Sequence, residues 1–485
     1  MEQQQHTITN KMDAGVGIGG HAKSVLKMTT SKLGYNQPIA IEEGVKKKIV
    51  VELNTSANLS APGGQIEFPM VRDPDRFCDI SSAILHGKVG IEFKHPNHGA
   101  TWKSLATLNK DLKPDVGVVN NLYQSLFSNC IIKVNDFEVG DSSSNANPYT
   151  SFLHTLLSTS TAHANSHVLK ELGFAKDDRV VIPADMAQLN SGGDYVTRRN
   201  MFRENRMVDF HIPLHNDLMT VHEYLPPNTK LCFVLKRSAD AFVLWHNRAG
   251  QDDPYQFRIV LEDLKITLHM LEMEEAVVKA YNRSFGDIPI EKRPPQEFKI
   301  TQNEFKTFAY PAQQTVIKQD NLFESSHLPD KLYVMLVEQT AFSGDADLNP
   351  YNFEFANMKT AYVKVNQDMV PNPPYKYAPG EDVNSCYRTF LENTGTGPFE
   401  LESVNVSKEE WKNGGLCVFA FDRSPTCDNG LYNHLPTIGS LSLVIELSEP
   451  TVKNYMVLAL ACYDKKLVLV QDKATIEEIA AGRKK

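Results

Sequence analysis

The segment FRIVLEDLKITLHM, residues 257–270, carries the clearest strand pattern in the chain. Apolar and polar residues alternate from Phe257 to Leu261, and the alternation resumes one residue out of phase from Leu264 to Met270. A period of two is typical of a strand with one buried face. Because a shift of one residue exchanges the two faces, the interruption at Glu262 and Asp263 predicts a β-bulge or a strand that crosses between sheets.

Similar strand patterns recur along the whole chain. KIVVELN at 48–54 reads as a half-buried strand, and NCIIKVNDFEVG at 129–140 reads as two strands joined by a turn at Asn135-Asp136. Further strands are predicted at LYVMLV (332–337), AYVKVN (361–366), LCVFAF (416–421), SLVIEL (442–447) and KKLVLV (465–470). Both halves of the chain are therefore rich in strands.

Each half also contains one segment with a clear helical pattern. In NPYTSFLHTLLS, residues 147–158, Asn147 is the predicted N-cap and Pro148 the first helical residue, followed by an apolar stripe. DVNSCYRTFLEN, residues 382–393, has apolar residues at the same helical spacing. The sequence therefore predicts one short helix inserted among the strands of each half.

A proline-rich passage, DIPIEKRPPQEF, separates the two halves and is unsuited to a central strand. Together with long loops such as VNQDMVPNPPYKYAPGED, this organisation predicts an all-β chain of two tandem jelly-roll (β-sandwich) domains, each with an inserted short helix. The predicted units are a flexible N-terminal arm at 1–45, a first jelly roll at 46–286, the linker at 287–298, a second jelly roll at 299–472 and a C-terminal tail at 473–485.

Composition argues against several classes of protein. The 485 residues carry a net charge of −9, which opposes general affinity for nucleic acid. No apolar stretch approaches the roughly 20 residues of a membrane-spanning helix. We expect the cysteines to be reduced core residues in a reducing compartment, because they lack C-x-x-C spacing and are odd in number, at positions 78, 130, 232, 386, 417, 427 and 462.

Two patterns resemble ligand sites without the context that such sites need. Gly15, Gly17 and Gly20 match G-x-G-x-x-G, but no strand is predicted before them, so a dinucleotide site is disfavoured. Histidines cluster on segments that do not read as metal-binding helices, at His163, His167, His211, His215 and His222. We therefore predict no cofactor and no metal.

The residues also allow two functional classes to be considered. A glycan hydrolase needs two carboxylates facing each other across a cleft, and the adjacent carboxylates Glu42-Glu43 and Asp73/Asp75 read as solvated turn residues. Asp345 and Asp347 lack the Gly and the terminal Glu of a calcium loop and also read as a turn. A lectin-like module would expose aromatic side chains, of which Trp102, Trp245 and Trp411 are candidates. We expect these tryptophans to be buried instead.

The order of several blocks resembles a known family of viral proteins. These blocks are LYQSLFSNCIIKVNDFEVGDSSSNANPYTSFLHTLLS (122–158), HIPLHNDLM (211–219), LCFVLKRSADAFVLW (231–245), NLFESSHLPDKLYVMLVEQTAFSGDADLNPYNFEF (321–355) and GGLCVFAFDRSPTCDNG (414–430). Over roughly 118–430, the chain resembles the double jelly-roll major capsid proteins of Polinton or Maverick elements and adintovirus-like viruses, distant relatives of adenovirus hexon. In that family the first helix usually opens Tyr-Pro-Tyr and a basic residue, whereas this chain has Asn147-Pro148-Tyr149-Thr150.

The resemblance implies a structural function without a catalytic site. Three chains would form a homotrimeric, pseudo-hexameric capsomer, and capsomers would tile an icosahedral shell. The implied partners are further copies of the chain and a penton or minor capsid protein, with no specific nucleic acid. The expected location is the virion, after synthesis in the host cytoplasm. The arm and Lys46–Lys48 would lie inside the shell, and Gly19-Gly20 is a hypothetical cleavage site for a maturation protease.

Overall fold

A computed structural model describes most of one compact unit, Gly44–Lys485. The described residues are 44–59, 61–95, 101–107, 116–160, 167–175, 193–246, 255–289, 292–323, 327–395, 404–423, 436–470 and 472–479. The glycine pattern, Glu42-Glu43, Gly19-Gly20, His163 and Cys427 all lie outside these residues. What was predicted for them is therefore not addressed by the fold.

Strands dominate the described residues. Those of the first half are β1 (Val45–Asn54), β2 (Gln65–Glu67), β3 (Phe77–Lys94), β4 (Lys103–Ser104), β5 (Val116–Val118), β6 (Phe127–Val134), β7 (Phe137–Val139), β8 (Val208–Pro213), β9 (Leu231–Arg237), β10 (Leu244–His246) and β11 (Gln256–Met273). Those of the second half are β12 (Gln296–Tyr310), β13 (Val316–Gln319), β14 (Lys331–Glu338), β15 (Met358–Val365), β16 (Asp368–Lys376), β17 (Phe419–Asp422), β18 (Leu441–Leu447), β19 (Tyr455–Val470) and β20 (Lys473–Glu478).

Short helices occupy the connections between strands. They are α1 (Leu122–Ser125), α2 (Ala146–Ser158), α3 (His167–Glu171), α4 (Gly193–Glu204), α5 (Asp240–Val243), α6 (Glu275–Tyr281), α7 (Gln339–Ser343), α8 (Asn384–Asn393) and α9 (Lys408–Lys412). Single 3₁₀ turns lie at Leu105–Thr107 and Asp217–Thr220, and a π turn at Asn282–Gly286 follows α6. The two predicted helices are present as α2 and α8, and the structure adds others.

The two halves repeat one strand order. In the first half, one sheet runs β1-β11-β3 with β8 and β4 on β3, and the second sheet runs β2-β9-β6-β7. In the second half, the corresponding sheets run β12-β19-β14-β17 and β13-β18-β15-β16. In each half the first strand therefore pairs with the last long strand, β1 with β11 and β12 with β19. The second strand pairs with the long strand before that one, β2 with β9 and β13 with β18. Each half thus pairs a five-stranded antiparallel sheet with a four-stranded one, since β4 and β20 are added at β3 and β19, and this is the jelly-roll arrangement, present twice.

The phase change in the opening segment is a bulge within one strand. β11 is continuous from Gln256 to Met273 and pairs with β3 on one side and β1 on the other. Its register against β3 shifts between Glu262 and Lys265, where Asp263 has a φ of 53°. The left-handed residue absorbs the extra position, so the apolar residues on both sides of it face the same core.

Three local features differ from the sequence expectation. Helix α2 begins at Ala146 after Asn145, so Asn147 is not its N-cap; the Asn147 side chain instead donates to the carbonyls of Gln124 and Phe127. Strand β12 begins at Gln296, inside the passage assigned to the linker. The segment assigned to the C-terminal tail begins with β20, which pairs with β19.

The core of each half lies between its two sheets. Long strands of the first sheets alternate buried and less buried side chains, as in β3 and β11. Six of the seven cysteines lie in the described residues as free thiols, and all of these except Cys232 are buried. This agrees with their prediction as reduced core residues.

Candidate functional site

Helix α2 projects aromatic side chains from the first half into the second. The Tyr149 ring is fully buried and stacks on Phe305 and Phe342, with ring centroids 5.8 Å away in both cases. Phe152 stacks on Tyr351 at 4.3 Å. We call the group the aromatic junction; it consists of Tyr149, Phe152 and Phe242 from the first half and Phe305, Phe342, Tyr351 and Phe353 from the second.

Hydrogen bonds fix the orientation of the aromatic junction. The Tyr149 hydroxyl donates to the Pro350 carbonyl at 3.1 Å, and the Tyr351 hydroxyl lies 2.5 Å from Ser125 Oγ. Asn145 Nδ2, at the start of α2, donates to the carbonyl of Phe342 at 3.1 Å. Buried polar groups of both halves are thereby satisfied across the junction, which favours a single relative orientation.

Side chains of the first half also occupy the free edge of β12. β12 pairs only with β19, so the backbone N–H groups of alternate residues point outward. Three of them are bound: Thr301 N by Thr220 Oγ1 at 3.3 Å, Asn303 N by Asp217 Oδ1 at 3.2 Å, and Phe305 N by Asp141 Oδ2 at 2.5 Å. The edge of the second jelly roll is therefore closed by side chains of the first.

Burial perturbs the ionisable groups beneath this edge. Asp217 is 5% exposed, and its burial raises the carboxyl pKa from the ordinary 3.8 to about 7, although two hydrogen bonds from Asn303 favour the charged form. Desolvation lowers the pKa of His215 to about 3, helped by the neighbouring His154 ring at 5.0 Å. Both imidazoles are therefore neutral at physiological pH, which is compatible with an apolar junction.

The histidines that lie close together in the sequence do not converge in the fold. The His211 ring lies on β8 with its Nδ1 3.1 Å from Nδ1 of His86, His215 packs on His154, and His222 and His167 are exposed. Across the part of the chain that the structure describes, no three His, Cys, Asp or Glu side chains are placed to hold a metal. The histidines that are close in sequence thus lie at separate places, with His215 half-buried beside His154, and His167 and His222 exposed.

The predicted carboxylate pairs serve turns. Asp73 Oδ1 accepts from the backbone N–H groups of Asp75 and Arg76, and Asp345 Oδ1 accepts from that of Asp347. These are the local contacts of turn aspartates. The turn interpretation of both pairs is confirmed.

Two glutamates that the sequence analysis did not consider do converge, on a lysine. Lys453 Nζ lies 3.0 Å from Glu338 Oε2 and 2.5 Å from Glu354 Oε1, and the Tyr455 hydroxyl donates to Glu354 Oε2 at 2.6 Å. Burial lowers the Lys453 pKa, but hydrogen bonds and charge from Glu354 and Glu338 raise it overall. The Lys453 ammonium and the Tyr455 hydroxyl thus connect the end of β14, the segment around Glu354 and the start of β19.

The tryptophans are not displayed for stacking on a ligand. Trp411 is fully buried and donates from Nε1 to the Val418 carbonyl at 2.9 Å, and Trp245 is 3% exposed. Trp102 is half-buried beneath the guanidinium of Arg258, 4.3 Å from the ring centroid. The expectation of burial is therefore confirmed for Trp245 and Trp411.

Two cavities are found among the described residues. One, of about 360 Å³, is lined by Asn321, His327 and Leu441 among others, and one of about 690 Å³ is lined by Ala241, Gln339 and Asp345 among others. Of the helices that the structure describes, none is both long and apolar enough to cross a membrane.

Three solved viral structures are similar to this chain. A chain in the cryo-EM structure of the Sputnik virophage is 14% identical, covers 94% of both chains and superposes with a TM-score of 0.60. The major capsid protein of mavirus is 13% identical over 96% of this chain and 97% of its own, with a TM-score of 0.52. VP54 of PBCV-1 is 8% identical over 92% of this chain and 100% of its own, with a TM-score of 0.51.

No protein-family model and no curated protein matches the sequence. At these identities, the structural similarity establishes the fold, a double jelly roll that extends over nearly the whole chain.

Proposed function

We propose that the chain is a viral major capsid protein, of the kind found in Polinton or Maverick elements, and that it acts as a structural subunit rather than as an enzyme. The observation that carries the proposal is a double jelly roll that matches the mavirus major capsid protein over nearly the full length of both chains. The order of sequence blocks independently led to the same family.

The architecture suits a capsomer of three chains whose outline has approximate six-fold symmetry. Two units with one strand order, held in one orientation by the aromatic junction, present similar surfaces twice per chain. Three such chains in a closed ring place six similar lobes around one axis. The proposed jelly rolls are 46–286 and 299–472, supported by the separation of β1–β11 from β12–β20 into different sheets.

The proposed partners follow from the same function. Further copies of the chain would form homotrimeric, pseudo-hexameric capsomers that tile an icosahedral shell, with a penton or minor capsid protein at the vertices. The net charge of −9 supports a shell subunit without specific nucleic-acid binding. The proposed location is the virion, after synthesis in the host cytoplasm.

Light scattering of the purified full-length chain tests the proposal. We expect a mass three times that of the 54.4-kDa chain, maintained on dilution, and a six-lobed outline by negative-stain electron microscopy. A folded chain that stays monomeric as its concentration is raised to the high micromolar range would contradict the proposal.

A further inference from the structure

The first strands of the two jelly rolls occupy equivalent positions but have different surroundings. β1 and β12 each lie at a sheet edge, beside β11 and β19 respectively. The outer edge of β12 is occupied by Asp141, Asp217 and Thr220 of the first jelly roll. No described side chain of the protein occupies the corresponding edge of β1.

The backbone of β1 is directed outward at alternate residues. Val50 lies opposite His269, and the His269 N–H bonds to Ser82 Oγ on the far side of β11. In an antiparallel ladder, the backbone N–H and C=O groups of two directly opposed residues either bond to each other or point away from each other. The Val50 N–H therefore points out of the sheet, and Lys48 and Glu52 share its direction.

The side chains along β1 are also more exposed than those along β12. None of residues 303–308 of β12 is exposed, whereas Lys48, Val50 and Glu52 of β1 are exposed, with Val50 at 53%. An open edge with a β-branched sequence is a template for further pairing, which proteins usually cover or blunt. Lys46–Lys48 place charge at one end of β1, and no residue in the described part of the chain pairs with the outer edge of Ile49–Leu53.

We infer that the open edge of β1 is the docking surface for a second copy of this chain, and that its second jelly roll binds there as the first jelly roll binds β12. The inference rests on the proposed function and identifies the contact that closes its ring. The contact within the chain is head-to-tail between non-equivalent surfaces, and repetition of such a contact produces a ring when the rotation closes.

The equivalent binding surface of the second jelly roll carries a suitable acceptor. In the first jelly roll, Asp141 follows β7 directly after Gly140, which has a φ of 122°. In the second, Glu381 follows Gly380, which has a φ of 89°, in the segment between Lys376 at the end of β16 and the start of α8 at Asn384. Glu381 is exposed, whereas the neighbouring Asp382 already binds Lys408 at 3.1 Å. We assign Glu381 of one copy as an acceptor for β1 N–H groups of the next.

Hydrogen–deuterium exchange combined with light scattering tests this inference. In the oligomer formed by the full chain, we expect slow exchange at the amides of Lys48, Val50 and Glu52. Val50→Lys should raise the dissociation constant of the oligomer by roughly tenfold or more and restore fast exchange. Glu381→Ala should speed exchange at the same amides. Val316→Lys is the matched control, because Val316 is a 45% exposed valine on β13, another edge strand, and should leave the oligomer intact.

The outcomes separate this inference from the proposed function. A trimer in which the three amides exchange rapidly, or which survives Val50→Lys unchanged, would overturn the docking surface and leave the capsomer standing. Slow exchange in a monomer would show that the chain covers its own edge, which also overturns the inference. A wild-type chain that never forms an oligomer would refute the proposed function itself.

Discussion

Truncation of Tyr149 tests whether the aromatic junction holds the two jelly rolls together. The ring is fully buried and has five aromatic neighbours, with centroids 5.7 to 6.3 Å away. Tyr149→Ala leaves a cavity among these rings, and replacement of a buried aromatic residue by alanine costs about 3–5 kcal/mol. Tyr149→Phe keeps the ring but leaves the Pro350 carbonyl without its donor, at a cost of about 1–3 kcal/mol.

Guanidinium denaturation followed by tryptophan fluorescence provides the measurement. Trp102 and Trp245 report on the first jelly roll and Trp411 on the second, so both halves contribute to the signal. Tyr224→Ala is the matched control, since Tyr224 is 39% exposed and its removal should change the free energy of unfolding by about 0.5 kcal/mol or less.

We expect Tyr149→Ala to lower the free energy of unfolding most, Tyr149→Phe less, and Tyr224→Ala least. If Tyr149→Ala unfolds at the same denaturant concentration as Tyr224→Ala, the junction contributes no measurable stability. The account of two jelly rolls locked by α2 would then be wrong.

Three further predictions concern single side chains. Between about pH 4 and 7 the folded chain keeps a proton on Asp217 that the unfolded chain releases, so the contribution of Asp217 to the free energy of unfolding falls as pH rises through that range. The free energy of unfolding of Asp217→Asn should therefore rise relative to that of the wild type between pH 4.5 and 7.5. A difference between the two proteins that does not change with pH would contradict the raised pKa. Asp263→Val should lower the free energy of unfolding by about 1–2 kcal/mol, because a β-branched residue is forced to a φ of 53°, and Asp263→Gly should lower it less. Equal losses in the two variants would show that the effect comes from the lost ion pair with Lys88 and not from the backbone conformation. Ser407→Ala should cost about 1 kcal/mol, since Ser407 and Glu410 form a reciprocal capping box at α9, and unchanged stability would show that the box is dispensable.

The long strands and the bulge could be predicted from the sequence because they leave a periodic signal. The alternation on both sides of Glu262 and Asp263 predicted β11, and the break in phase predicted either a bulge or a crossing between sheets, of which the structure has the bulge. Strands of two or three residues, such as β4 and β10, are too short to show a period of two. Helix α4 was missed because GDYVTRRNMFRE is too polar to show an apolar stripe.

The site itself could be predicted only in part. The sequence placed Tyr149 on the apolar stripe of α2, but burial against Phe305 and Phe342 depends on residues far away in the chain. Asp141 and Asp217 gave no signal, because an isolated aspartate beside a turn looks the same whether it faces water or a distant strand edge. Pairings such as β1 with β11 likewise join the two ends of the first jelly roll and leave no local pattern.

A cryo-EM reconstruction of the purified oligomer is the most direct test of the central claim. The account predicts three-fold symmetry, six jelly rolls in one ring, and the edge of β1 against the second jelly roll of the neighbouring copy. A reconstruction with a different number of chains, or with jelly rolls that do not form a closed ring, would contradict it.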